Sequence, residues 1–222
     1  MNSRKSYIEK LVEQGEHQTQ DFKFEVSDSK KIARTLSAFS NTKGGRLLIG
    51  VKDNGALAGV RSEEEFHMLQ AAAQMYCKPE VPLEFKEWNV MGKLILEVTI
   101  KKTESDLVSA PDKNGVFKVF IRLADQNILA NGIFIQAWKQ KKEARPVKIT
   151  YTDIEKEFLS QIEEKQAISW SQLRKHLKLT PKKLNQLVLD FLLLDIIELD
   201  ISEKGYFYKL NDKQIEKNEL AK

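Results

Sequence analysis

Residues 38–55 read Ala-Phe-Ser-Asn-Thr-Lys-Gly-Gly-Arg-Leu-Leu-Ile-Gly-Val-Lys-Asp-Asn-Gly, and this run leaves the chain few options. Ahead of it, Ile32, Ala33, Leu36, Ala38 and Phe39 recur at helical spacing, in a helix opened by Ser27 or Ser29. Gly44-Gly45 permits positive φ and lets the backbone approach another element closely. Leu47-Leu48-Ile49 is a continuous apolar run in a strand over residues 46–52. Asp53-Asn54-Gly55 turns the chain, and residues 57–60 pair back as a hairpin. A helix that ends on a glycine turn and feeds an apolar strand predicts a mixed α and β domain.

The flanking segments extend that pattern. A short amphipathic helix over residues 7–14 is closed by Gly15, and Asp21-Phe22-Lys23-Phe24-Glu25 alternates as a strand does. Residues 62–76 form a serine-capped helix with an acidic first turn, residues 83–89, 93–100 and 115–123 are strands, and residues 132–142 are a closing helix. The C-terminal part differs. Helices over 152–164, 169–177 and 181–194, the last with Pro181 in its first position, precede two short strands at 196–200 and 206–210. Three helices and a hairpin are the order of a winged helix-turn-helix. The polar, basic stretch Lys139-Gln-Lys-Lys-Glu-Ala-Arg-Pro-Val147 suits a linker, with the boundary between Ala144 and Lys148. The predicted organisation is α+β: one mixed domain over 1–143, a small winged-helix domain over 148–211 and a disordered tail over 212–222.

Composition narrows the function. The single cysteine, Cys77, excludes an intrachain disulfide framework, and three scattered histidines, His17, His67 and His176, argue against a zinc site. No apolar run reaches the length of a membrane span, and the N-terminal stretch lacks the apolar core of a secretory signal, so a cytoplasmic protein without membrane association is expected. The formal net charge is +4. All of it lies in residues 1–145, which hold 23 basic and 19 acidic side chains. The excess permits an anionic partner.

The most specific pattern spans residues 16–60, with a later echo. Gly15-Glu16, Asp21-Phe22-Lys23, the run from Ala38 to Gly45, the run from Ile49 to Gly55, and Val119-Phe120-Ile121-Arg122 with Asn127 occur in order. Over residues 5–140 the chain resembles the Schlafen-type AlbA-like domain of bacterial DNA-binding regulators and of the Schlafen core. The resemblance implies a nucleic-acid-binding α/β domain. It also implies a candidate active site, because in nucleolytic members three carboxylates at positions matching Glu16, Asp21 and Asp53 line one. Such a triad could hold one or two divalent metals, Mg or Mn, that activate water against a phosphodiester. Here Asp21 stands where the family has Glu, one methylene shorter. Read without the resemblance, the Gly-Gly segment is a tight αβ turn or a phosphate nest, Asp21 pairs with Lys23 or Arg34, and Asp53 is a turn residue. No GxxxxGK[ST] motif supports an ATP-binding role.

Basic residues form the remaining signal. Lys23 follows Asp21, Lys30, Lys31 and Arg34 share one helix, Lys43 and Arg46 flank the glycine turn, and Arg122 lies on a later strand; together they suit a surface that tracks a phosphate backbone. In the C-terminal part Arg174, Lys175, Lys178, Lys182 and Lys183 fall in a stretch without acids, whereas residues 190–203 carry five acids and no base. The basic block covers the turn and the start of the third helix, the end that meets DNA in a helix-turn-helix, with Asn185 placed to reach base edges. The expected function is therefore DNA binding by a non-catalytic transcriptional regulator that needs no cofactor. The alternatives are a metal-dependent endonuclease using Glu16, Asp21 and Asp53, and a protein-interaction module using helix 181–194. That helix has more apolar residues than one core face needs, which predicts an exposed surplus face around Leu189 and Leu193 and a homodimer.

Overall fold

The computed structural model describes residues 5–143 and 146–211. It divides into two units, residues 1–130 and 131–222. The expected disordered tail, 212–222, and two residues of the expected linker, 144 and 145, lie outside the described residues.

The first unit has two sheets sharing one helix. α1 (Tyr7–Glu13) opens with a capping box in which Ser6 and Glu9 bond each other's backbone. β1 (Gln20–Lys23) pairs in parallel with β2 (Gly45–Ile49), and the crossover between them is α2 (Ser29–Ser40). After α3 (Glu64–Met75), β3 (Leu83–Val90) and β4 (Lys93–Ile100) complete a sheet in the order β1-β2-β4-β3. The apolar run at 47–49 exists because both faces of this sheet are covered. Leu47, Ile49, Leu96 and Val98 join a core with Leu36, Phe39 and Leu69 of α2 and α3. Phe22, Leu48 and Ile95 point the other way, into a smaller core with Ile8 and Leu11 of α1. A second, antiparallel sheet of β5 (Ser109–Pro111), β6 (Phe117–Leu123) and β7 (Gln126–Leu129) packs along α2.

Several local expectations shift. α2 is capped by Asp28, whose side chain accepts from the Lys30 and Lys31 N–H groups, rather than by either neighbouring serine. The cap position of α3 falls one residue later than expected, at Glu63 rather than Ser62, and carries no side-chain capping bond. The 57–60 hairpin reduces to a single bridge, Val51 to Leu57, because Val60 instead donates to Leu94 of β4.

The second unit begins with α4 (Gly132–Glu143), followed by α5 (Asp153–Lys165), β8 (Ile168–Ser169), α6 (Trp170–Leu177), α7 (Pro181–Leu193), β9 (Ile197–Ser202) and β10 (Gly205–Leu210). Thr152, Ser169 and Thr180 cap the three central helices through their side chains, as their positions in the sequence suggest. β10 lies between β8 and β9, antiparallel to both. The boundary between the units falls before α4, not after it. The reason is packing: Ile133 joins the core of Phe158, Ile162, Leu184, Val188 and Phe191, and α4 lies against α7. The surplus apolar face expected on α7 is not exposed either. Leu184, Leu187, Val188, Leu189, Phe191 and Leu192 are all buried, Leu189 to 2% exposure. Leu193 is half-buried, so the exposed apolar face expected around Leu189 and Leu193, on which the expected homodimer rested, is not present on the second unit.

Candidate functional site

The three candidate carboxylates come together. Glu16, Asp21 and Asp53 line one cleft of about 510 Å³ in the first unit, with Lys23, Lys31, Arg34 and Arg122. The parallel β1–β2 pair explains this convergence: Asp21 lies on β1, Glu16 on the loop before it, and Asp53 on the turn beyond β2. β6 and β7 deliver Arg122 and Asn127 to the same place. Cleft residues that the sequence did not suggest for the site are Glu25, Ser27, Asp28, Thr35 and Asp125; none sits in a spacing that signals chemistry.

Inside the cleft Asp21 already has its counter-charges. Arg122 was expected on a phosphate-facing surface, but its side chain is 1% exposed. Its Nη2 donates to Asp21 Oδ1 at 3.0 Å and its Nη1 to Asn127 Oδ1 at 2.9 Å. Lys23 Nζ stands 2.5 Å from Asp21 Oδ2, a charge contact without hydrogen-bond geometry, and donates to the Phe22 carbonyl. The Asp21–Lys23 pairing is thus present, and Arg122 takes the role that the sequence offered to Arg34. Glu16 Oε1 accepts the Phe22 N–H at 2.8 Å. Burial pushes the Glu16 carboxyl above the ordinary carboxylate range, the adjacent Asp21 pushes the same way, and the Phe22 N–H and Lys23 pull it back.

A divalent cation needs several carboxylate oxygens free to converge on it. Asp21 has one oxygen on each of two protein cations, and Glu16 has one on a backbone N–H. Among the described residues no group of three or more His, Cys, Asp or Glu side chains is arranged to hold a metal ion. In this arrangement the triad does not fit a metal centre.

The remaining basic candidates separate. Lys30 lies near the Tyr76 ring, 5.8 Å from its centroid. Lys43 and Arg46 line a different pocket, where Arg46 bonds the Tyr7 hydroxyl at 2.8 Å and pairs with the buried Glu97 at 3.3 Å. Arg46 therefore serves a side-chain network rather than an open surface.

The Asn-Thr-x-Gly-Gly segment turns out to fasten the two sheets to α2. Asn41, 3% exposed, donates through Nδ2 to the Val108 and Phe120 carbonyls, both at 2.8 Å, and accepts the Val108 N–H through Oδ1 at 2.8 Å. Thr42 Oγ1 accepts the Arg122 N–H. Gly44 has φ +71°, and a Cβ there would lie 2.7 Å from the Ile100 carbonyl. On Gly45 it would lie 2.7 Å from the Phe39 ring. No phosphate nest is needed to explain these residues.

In the second unit Arg174, Lys175, Lys178, Lys182 and Lys183 are all exposed around the α6–α7 turn. None of them has an ion-pair partner among the described residues, and α7 has no acid in its first turn. Asn185 is half-buried, and its Oδ1 takes the Trp170 indole N–H at 2.7 Å, so this oxygen is not open to a base edge as expected.

A family model described as Schlafen, AlbA_2 matches residues 16–131. Among solved structures, the DIP2311 protein from Corynebacterium diphtheriae is similar at 15% identity and TM-score 0.45, covering 87% of this chain and 34% of its own. This chain therefore spans about a third of that protein. The N-terminal domain of a protein named as an ATP-dependent DNA helicase RecG-related protein, from Nitrosomonas europaea, is similar at 20% identity and TM-score 0.35, covering 58% of this chain and 97% of its own. No curated protein matches.

Proposed function

We propose that this chain, which belongs to the Schlafen AlbA_2 family, binds nucleic acid, and that its ligand is duplex DNA bound without catalysis, as by a transcriptional regulator. The second unit is read as a winged helix-turn-helix, on the order of its elements and the pairing of β8 with the hairpin. One observation carries the proposal: five exposed cations, none in an ion pair among the described residues, lie around the α6–α7 turn, with only Arg174 set over a ring, that of Trp170. A helix N-terminus favours anions, and cations that neutralise phosphates release counterions, which makes binding salt-dependent. The test is the salt dependence of affinity for a short duplex. Changing Lys178, Lys182 and Lys183 together to Gln should weaken binding to every sequence and flatten the log–log salt slope by about 0.9 for each lost phosphate contact. An unchanged slope removes these residues from the interface.

A hydrolytic reading keeps one supporting observation, the convergence of Glu16, Asp21 and Asp53 in one cleft. It requires Asp21 to leave Arg122. Incubating labelled RNA and DNA with the protein and Mn²⁺ separates the readings: cleavage lost in Asp53→Asn supports a nuclease, and intact substrate rejects it.

A further inference from the structure

At the start of α3 the first unit has another concavity, about 460 Å³ in volume. Its floor is Leu94 and Leu96, which alternate onto one face of β4, and Glu87 of β3 stands directly across from Leu96. Val60 and Phe66 form a wall, with the Phe66 ring 4.4 Å from that of Phe85. Leu94 is the open part of this floor, 40% exposed, whereas Leu96 is buried.

The charge at the mouth is one-sided. Arg61, the one cation of the wall, is already engaged: its guanidinium pairs with Glu25 at 2.9 Å and lies 4.4 Å from the Phe24 ring centroid. Glu63 occupies the cap position of α3 yet makes no capping bond through its side chain. Neither Glu63 nor Glu87 has an ion pair among the described residues, and both are exposed. Behind the wall Glu65 is 5% exposed; its Oε1 accepts the Arg61 N–H at 3.0 Å, and its Oε2 has no partner. His67 is the remaining titratable wall residue.

Ligand sites of this size combine an apolar lining with a few placed polar groups. Here Arg61 is held by Glu25, and the carboxylates of Glu63 and Glu87 are left without counter-charges among the described residues. Such a mouth repels a phosphate backbone and suits a molecule with an apolar body and a cationic end. We propose that this groove binds a small organic cation of amphipathic shape, an aromatic primary amine in its protonated form. The ring lies against Leu94 and Phe66, and the ammonium faces Glu63 and Glu87.

The experiment is a titration of the full chain, followed by two-dimensional amide NMR. The ligands are tryptamine, indole-3-acetate, spermidine and the capped dipeptide acetyl-Phe-Lys-amide. Tryptamine should shift the amides of residues 60–67 and 94–96 saturably, and indole-3-acetate and spermidine should not. The double variant Glu63→Gln/Glu87→Gln, altered only at exposed side chains, should weaken tryptamine at least about tenfold with its thermal unfolding unchanged. The proposal fails if tryptamine shifts none of these amides up to about 10 mM. It fails equally if indole-3-acetate or spermidine matches tryptamine, or if the double variant binds as the parent does. Binding of the dipeptide in the absence of tryptamine binding overturns it in favour of a protein partner.

Discussion

Replacing Arg122 with Met should be among the most damaging single changes in the first unit. The methionine keeps most of the apolar stem but removes a guanidinium whose side chain is 1% exposed. Asp21 loses a partner at 3.0 Å, and Asn127 Oδ1 loses its donor at 2.9 Å. Removing one member of a buried ion pair costs about 3–5 kcal/mol, because the other charge stays buried. Lys23 still holds Asp21 Oδ2, so the low end of that range, about 3 kcal/mol, is the expected loss. At roughly 2–4 °C per kcal/mol, the melting temperature should fall by about 10 °C. Denaturant unfolding followed by circular dichroism measures it. The companion Asp21→Asn/Arg122→Met removes the orphaned charge and should recover about half of the loss, by the logic of a double-mutant cycle. A loss below about 1 kcal/mol, or no recovery in the double variant, would refute the view that Arg122 is the counter-charge of Asp21.

Gly45→Ala should destabilise by about 1–3 kcal/mol, because its Cβ meets the Phe39 ring at 2.7 Å and the Thr19 carbonyl at 2.9 Å; an unaltered denaturation midpoint would show that the ring can yield. The Glu16 carboxyl is raised by folding, so its protonated form is the one the fold prefers. Its contribution is fully present below the ordinary carboxylate range and is lost as pH rises through its folded value. Glu16→Gln should accordingly gain stability relative to the parent near pH 7, and the gain should vanish as the buffer is taken below that range; a pH-independent difference sinks the argument. Burial pushes the Cys77 thiol up to about 12, so iodoacetamide should label it only as fast as the first unit unfolds. Rapid labelling of the native protein at neutral pH would contradict its burial.

Much of this architecture was readable because the deciding signals are local. The strand at 45–49 and the helix before it follow from contiguous patterning, and Thr152, Ser169 and Thr180-Pro181 announce helix starts within three or four residues. Asp28 was missed as a cap because Ser27 and Ser29 are chemically equivalent candidates on either side. β5 and β7 were missed because Ser-Ala-Pro and Gln-Asn-Ile-Leu are too short to show a period of two. The convergence of Glu16, Asp21 and Asp53 came through resemblance, not spacing. What neutralises Asp21 was out of reach: Arg122 stands 101 positions away and meets it only because α2 sets one sheet against the other. The seven apolar residues of α7 from Leu184 to Leu193 were visible too, but nothing in a linear pattern says that α4 covers part of that helix.

Asn41 carries a consequence for how the molecule breathes. Val108 lies outside any strand, yet its N–H ends on a side-chain oxygen buried in the body of the first unit. Loop amides ordinarily trade their protons with solvent through small local openings, whereas this one cannot exchange until α2 and the second sheet separate. In a deuterium experiment Val108 should therefore persist as long as the central strands. Its lifetime would report the opening of a joint that no backbone ladder holds, and Asn41→Ala should shorten it far more than it shortens the lifetimes of β2 and β4.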